Sequence, residues 1–83
     1  MSPEEIDAAI AANVRALRAR RRERQEDLAI DLGWVRQSVS ALEAGTRRVT
    51  VADAIALCQA LDVGLRELLS GVDEESFRSL RLE

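Results

Sequence analysis

Apolar residues return at intervals of three and four along most of this chain, which is the period of helices with one buried face. Ile6, Ile10, Val14 and Leu17 predict a first helix over residues 3–22. Ser2-Pro3-Glu4-Glu5 ahead of them is a capping box, with Ser at the N-cap, Pro at the first helical position and Glu two places on. A second helix is expected from Gln25 to Leu32, with Leu28, Ala29 and Leu32 inward and Gly33 ending it. A third is expected over residues 36–44, with Val39 and Leu42 inward and Gly45 as the residue that closes it. Thr50 and Asp53 cap a fourth, whose apolar stripe reads Val51, Ala54, Ile55, Cys58 and Leu61. Asp62-Val63-Gly64 breaks that helix, and Leu65 to Leu69 forms a short fifth one stopped by Gly71. The pattern predicts an all-α, five-helix domain over residues 1–71 and a C-terminal tail over 72–83. Two readings of the tail stay open. Asp73-Glu74-Glu75 can start a helix with Phe77 and Leu80 on one face, or Leu80 and Leu82 can alternate about Arg81 as a short strand.

Eighty-three residues suit one domain with a thin core. That core has only Trp34 and Phe77 as aromatics, so it rests on aliphatic side chains. The absent residues narrow the chemistry further. Without His, and with Cys58 as the one Cys, neither a Cys/His zinc site nor a Ser-His or Cys-His nucleophile can be built. No cofactor, metal or small-molecule ligand is implied, and no enzyme activity. No apolar run approaches the roughly 20 residues that span a bilayer. Glu4, Glu5 and Asp7 stand where a signal peptide would be positive, so a cytoplasmic protein with no membrane partner is expected.

The net charge of −3 hides an asymmetry. Residues 13–48 carry nine Arg against five acids, whereas both flanks are acidic. A basic middle between acidic ends marks the side from which a polyanion would approach.

That middle segment also holds two short helices joined by a tight turn with Gly, the helix-turn-helix pattern. Gln25-Glu26-Asp27-Leu28-Ala29, Gly33 and Val39-Ser40-Ala41-Leu42-Glu43-Ala44-Gly45 resemble the Cro/C1-type helix-turn-helix domain of phage repressors and many bacterial regulators. Val14-Arg15-Ala16-Leu17-Arg18 upstream and Leu57-Cys58-Gln59-Ala60-Leu61-Asp62-Val63 downstream extend the resemblance over residues 14–69. It implies a lambda-repressor-like arrangement of five helices and binding to double-stranded DNA.

The residues give that expectation physical content. With Val39 and Leu42 turned inward, Gln37, Ser40, Ala41 and Ala44 share the opposite face. Arg36 and Gln37 lie in the first turn, from which a recognition helix reads base edges. Arg pairs bidentately with guanine and Gln with adenine. Ser40 can donate to a base or phosphate, and Ala41 is small enough to let the helix sink into the groove. The resemblance implies a phosphate contact for Gln25, where the start of a helix already favours an anion, and Arg24 stands beside it. Arg47 and Arg48 follow the third helix as candidate backbone clamps. Arg18 and Glu43 take the family's positions for a partly buried ion pair and are not expected to read DNA. Two departures stand out. Val35 replaces the usual Ser or Thr at the N-cap of the third helix. Trp34 stands where a smaller apolar residue is usual, either as a core plug or as a contact to backbone or partner.

These readings predict a sequence-specific repressor that binds a palindromic operator as a homodimer, whether a Cro-like phage protein, a restriction–modification controller or an antitoxin. A helix-turn-helix module whose main partner is another protein is the competing class. Leu65, Leu68, Leu69, Phe77, Leu80 and Leu82 are the apolar groups expected to serve the dimer, with Phe77 equally able to fold onto its own core.

Overall fold

The computed structural model describes residues 1–82, and among them every regular element is helical. The helices are α1 (Pro3–Arg20), α2 (Gln25–Leu32), α3 (Arg36–Glu43), α4 (Val51–Leu61), α5 (Leu65–Leu68) and α6 (Glu74–Arg78). α2 and α3 pack against each other, α1 lies across α3, α4 and α5, and α4 braces α2. Leu28, Leu42, Leu57, Leu61, Leu68, Val14 and Val39 are fully buried where these helices meet.

Local chemistry sets the boundaries. At α1 the Glu5 N–H donates to Ser2 Oγ at 3.1 Å and the Ser2 N–H to Glu5 Oε1 at 2.8 Å. Thr50 and Asp53 make the same reciprocal pair at α4, at 3.0 and 3.2 Å. Gly33 ends α2 with φ 70°, a left-handed conformation that lets the Trp34 N–H return to the Ala29 carbonyl at 2.9 Å. Gly45, at φ 76°, does the same after α3, where the Thr46 N–H bonds to the Ala41 carbonyl at 3.0 Å.

The five expected helices stand, and a sixth follows them, because Asp73 caps a further turn in the tail: its Oδ2 accepts the Ser76 N–H at 3.1 Å. The helical reading of the tail therefore holds over the strand. The expectation that Leu68 and Leu69 serve a partner is corrected, since both lie in the chain's own core, and of the two readings of Phe77 the one that folds it onto that core holds. The Arg66 guanidinium stacks on the Phe77 ring at 4.0 Å and pairs with Glu74 at 3.5 Å, which fastens α6 to α5. Finally, α4 is rotated from its expected setting. Leu57 and Leu61 are its buried residues, whereas Val51 and Ile55 are 79% and 56% exposed. α4 is apolar almost all round, so periodicity alone could not choose its inner face; its packing against α2, α1 and α5 does. The end of α1 at Arg20, of α3 at Glu43 and of α5 at Leu68 falls one or two residues short of expectation.

Polar ties reinforce the aliphatic core. Asn13 donates through Nδ2 to the carbonyls of Leu68 and Ser70, both at 2.7 Å, and so closes the end of α5 from α1. Glu43, 4% exposed, accepts a bidentate pair from Arg18, Nε to Oε2 at 2.7 Å and Nη2 to Oε1 at 3.0 Å. The third Arg18 nitrogen, Nη1, donates to the Glu23 carbonyl at 2.7 Å. The hydrogen bonds to Glu43 raise the Arg18 pKa above its ordinary value, so the guanidinium keeps its charge. Cys58 is a half-buried packing residue whose thiol is pushed up by burial and stays protonated near neutrality.

Two stability measurements follow. Arg18→Ala leaves the Glu43 carboxylate buried with only weaker partners and should cost about 3–5 kcal/mol, a large share of a small domain's stability. Chemical denaturation should show a correspondingly lowered midpoint, and a variant as stable as the parent would contradict the pairing. The pH dependence has a definite sign. Backbone and side-chain hydrogen bonds from Ser2 hold Glu5 below its ordinary pKa; the Arg24 N–H and side chain do so for Asp27, and the Ser76 hydroxyl and N–H for Asp73. A depressed carboxylate stabilises the fold fully above its unfolded pKa, about 4, and loses that contribution as pH falls through the lower folded value. The denaturation midpoint should therefore be flat near neutrality and fall below about pH 4. A midpoint that rises on acidification would contradict these caps.

Candidate nucleic-acid interface

α3 is held from behind and left open in front. Val39, Leu42 and Glu43 face inward, with Val39 and Leu42 each 1% exposed. Arg18 grips the Glu43 carboxylate from α1, and Arg15 donates to the Glu43 main-chain carbonyl. Gln25, at the start of α2, donates from Nε2 to Glu43 Oε1 at 3.2 Å. One residue at the end of α3 thus fixes its position against both α1 and α2.

The outer face carries Arg36, Gln37, Ser40 and Ala44, all exposed, with Ala41 half-buried at its edge. Among the described residues, Arg36, Gln37 and Ser40 have no side-chain partner. Val35 opens the helix without a side-chain cap; the Ser38 N–H turns back to the Val35 carbonyl at 3.0 Å, and the Arg36 and Gln37 N–H groups have no partner among the described residues. An exposed guanidinium, a carboxamide, a hydroxyl and free helix N–H groups, arranged on one turn and a half of helix, suit hydrogen bonding to base edges and phosphate oxygens.

The flanking residues are more engaged than their types suggested. Gln25 is half-buried, and its amide is oriented by Glu43: a carboxylate can only accept, so the NH₂ end must face it. Arg24 lies exposed at the N-cap of α2 and pairs with Asp27 at 3.3 Å and Glu26 at 4.0 Å. Arg47 lies across the Trp34 ring at 4.3 Å and reaches Asp53 at 3.5 Å, with its Nε shielded from solvent and unpartnered. This stacking draws the loop after α3 back beside the turn that precedes α3. It also gives Trp34 two roles, since the half-buried indole packs on the core with one side and carries Arg47 with the other. Arg48 is 70% exposed and pairs with Asp7 at 2.7 Å. An exposed pair such as that of Arg24 with Asp27 contributes only about 0–1 kcal/mol, so a phosphate can compete for Arg24, and Arg48 stays open to share a phosphate beyond its contact with the buried Asp7.

Arg15, Asp7 and Asp53 were not anticipated as parts of this assembly. Asp7 alone left a trace in the sequence, as an acid three residues before Ile10 on the inward row of α1. Arg15 depends on how α1 packs against the end of α3, and Asp53 on which way the loop after α3 folds back.

Comparisons with known proteins agree with this geometry. The model of the helix-turn-helix domain family matches residues 9–70. Among solved structures, the restriction-modification controller protein C.AhdI from Aeromonas hydrophila is 34% identical, with a TM-score of 0.70 over 75% of this chain and 94% of that one. A hypothetical transcription factor, NHTF, from Neisseria is 26% identical, with a TM-score of 0.75 over 96% of this chain and 90% of that one. A search of curated proteins finds no match to the chain. With the family model spanning most of the sequence and the outward face of α3 built as described, the chain belongs to the helix-turn-helix domain family in its Cro/C1-type form, a class of DNA-binding transcriptional regulators.

Proposed function

We propose that the protein is a small cytoplasmic repressor that reads a palindromic operator in double-stranded DNA as a homodimer. The observation that carries this reading is the outward face of α3, where Arg36, Gln37 and Ser40 stand exposed and unpartnered on a helix anchored through Glu43. Arg36 and Gln37 read bases from the first turn, and Ser40 and Ala41 set the approach of the helix to the groove. Arg24, Gln25, Arg47 and Arg48 contact the sugar-phosphate backbone. Those contacts position the protein without specifying sequence. Likeness to a restriction-modification controller favours that role over a Cro-like phage protein or an antitoxin.

The dimer follows from length and from an uncovered face. Eight residues of α3 span about 12 Å, too little to specify a genomic site alone, whereas two copies can read half-sites about 34 Å apart. Away from α3, an apolar groove of about 490 Å³ runs between α1, α4, α5 and the tail, and among the described residues no charged side chain lines it. Val51, Ile55, Leu80 and Leu82 stand exposed along it. In a chain that is 33% charged, a charge-free apolar face fits a two-fold contact, where each group meets a copy of its own surface. The reading therefore places the tail's contribution in Leu80 and Leu82, beside α4 and Leu65 of α5, rather than in Phe77.

Selection of duplexes from a random pool should enrich a palindrome, and binding should weaken steeply with salt, by about 0.9 in log K per log salt for each neutralised phosphate. Gln37→Ala should cost roughly 1–3 kcal/mol on the preferred site and relax one base position. No enrichment at low salt would instead assign the fold to protein binding. Ile55→Asp should convert the dimer to a monomer by light scattering and weaken palindrome binding more than half-site binding. An unchanged mass would remove α4 from the interface.

A further inference from the structure

We propose that Asp7 is a positioning residue for DNA binding, acting from α1 through the loop that follows α3. Asp7 is 6% exposed, lies 41 residues from Arg48 in sequence, and belongs to no part of the helix-turn-helix itself. Its two oxygens do different work. Oδ1 accepts the Val49 N–H at 3.3 Å and pins the loop's main chain just before α4. Oδ2 meets Arg48 Nε at 2.7 Å while the Arg48 side chain remains 70% exposed.

The chemistry of the pair gives it a direction. A buried carboxylate is costly to keep charged unless it is paired, and a neutral amide oxygen would satisfy the Val49 N–H equally well. The charge is therefore used on Arg48. An ion-pair contact at Nε restricts the swing of a planar guanidinium and leaves the Nη donors for an external oxyanion. An arginine held in this way loses less conformational freedom when it takes a phosphate than a free one does. Asp53 acts in parallel on Arg47, so each arginine of the loop has its own carboxylate, and Trp34 adds a face for one of them. Asp7 differs from Asp53 in coming from α1, which couples the loop's aim to the helix that already holds Glu43.

This inference rests on the loop facing the DNA backbone, as in the preceding reading, and its test separates the two. Asp7→Asn keeps an acceptor for the Val49 N–H and removes the charge. Its affinity for operator and for random duplex should fall together, on the order of fivefold, with base preference unchanged. In an Arg48→Ala background, Asp7→Asn should change affinity no further. Without DNA, ¹⁵N relaxation at Arg48 Nε should report a more restricted side chain in the parent chain than in Asp7→Asn. A thermal melt close to the parent's keeps loss of fold out of the comparison. Unchanged or tighter binding by Asp7→Asn, or the same loss with and without Arg48, would overturn the positioning role. An Arg48 signal indifferent to the substitution would overturn the clasp itself. Failure of the parent chain to bind any duplex would overturn the DNA reading and the role of Asp7 within it, while the NMR arm still reads the clasp.

Discussion

The carboxylate of Glu43 is the constraint on which the rest of this structure turns. It is buried at the end of the one helix whose other end must stay exposed. Aliphatic packing of Val39 and Leu42 can hold α3 against the core, but it is non-directional and fixes neither tilt nor register. Glu43 supplies direction, because a bidentate arginine pair tolerates little rotation. Arg18, Arg15 and Gln25 come from two different helices and converge on this one residue. A buried ion pair is poor evidence for extra stability, since desolvation offsets much of its attraction. Its value here lies in geometry: it sets how α3 is presented.

The same logic runs through the basic segment. Arg18, Arg24, Arg47 and Arg48 each face a carboxylate within the chain, while Arg36 faces none among the described residues. The segment's positive charge is therefore not a diffuse cloud. It is compensated along the loop and α2 and left open, among the described residues, at Arg36 in the first turn of α3 and at Arg15, Arg20 and Arg22 along α1 and just past its end. Compensated arginines steer a polyanion less but hold their shape better. An acidic chain keeps in this way a few uncompensated arginines through which a polyanion can be attracted.

Much of this was legible beforehand, and the failures have physical causes. α2, α3 and their glycines could be read because a left-handed closing residue and an inward pair such as Val39 and Leu42 leave few alternatives. The capping boxes at Ser2 and Thr50 were equally plain, since their chemistry is confined to four residues. α4 was misread because nearly every position is apolar; which face is inside depends on α1, α2 and α5, none of which is local. The engagement of Arg47 and Arg48 was invisible for a related reason. Their partners Trp34 and Asp7 are distant in sequence, and a loop's return path carries no periodic signal.

The exposed setting of α4 is where size and function meet. A domain of 83 residues buries a smaller fraction of its surface than a large one, so some apolar side chains must remain outside. Scattered singly, they would be unremarkable. Here Val51 and Ile55 sit one turn apart on α4 and share one groove with Leu80 and Leu82, while Phe77 fixes the tail that forms its other wall. Phe77 thus belongs to the core and shapes the surface at once. If it were released, the tail would lose its seat on α5 and the groove would lose a side. The thin core and the apolar face are two consequences of the same shortage of interior, and burying that face against a second copy would relieve it without adding residues to the chain.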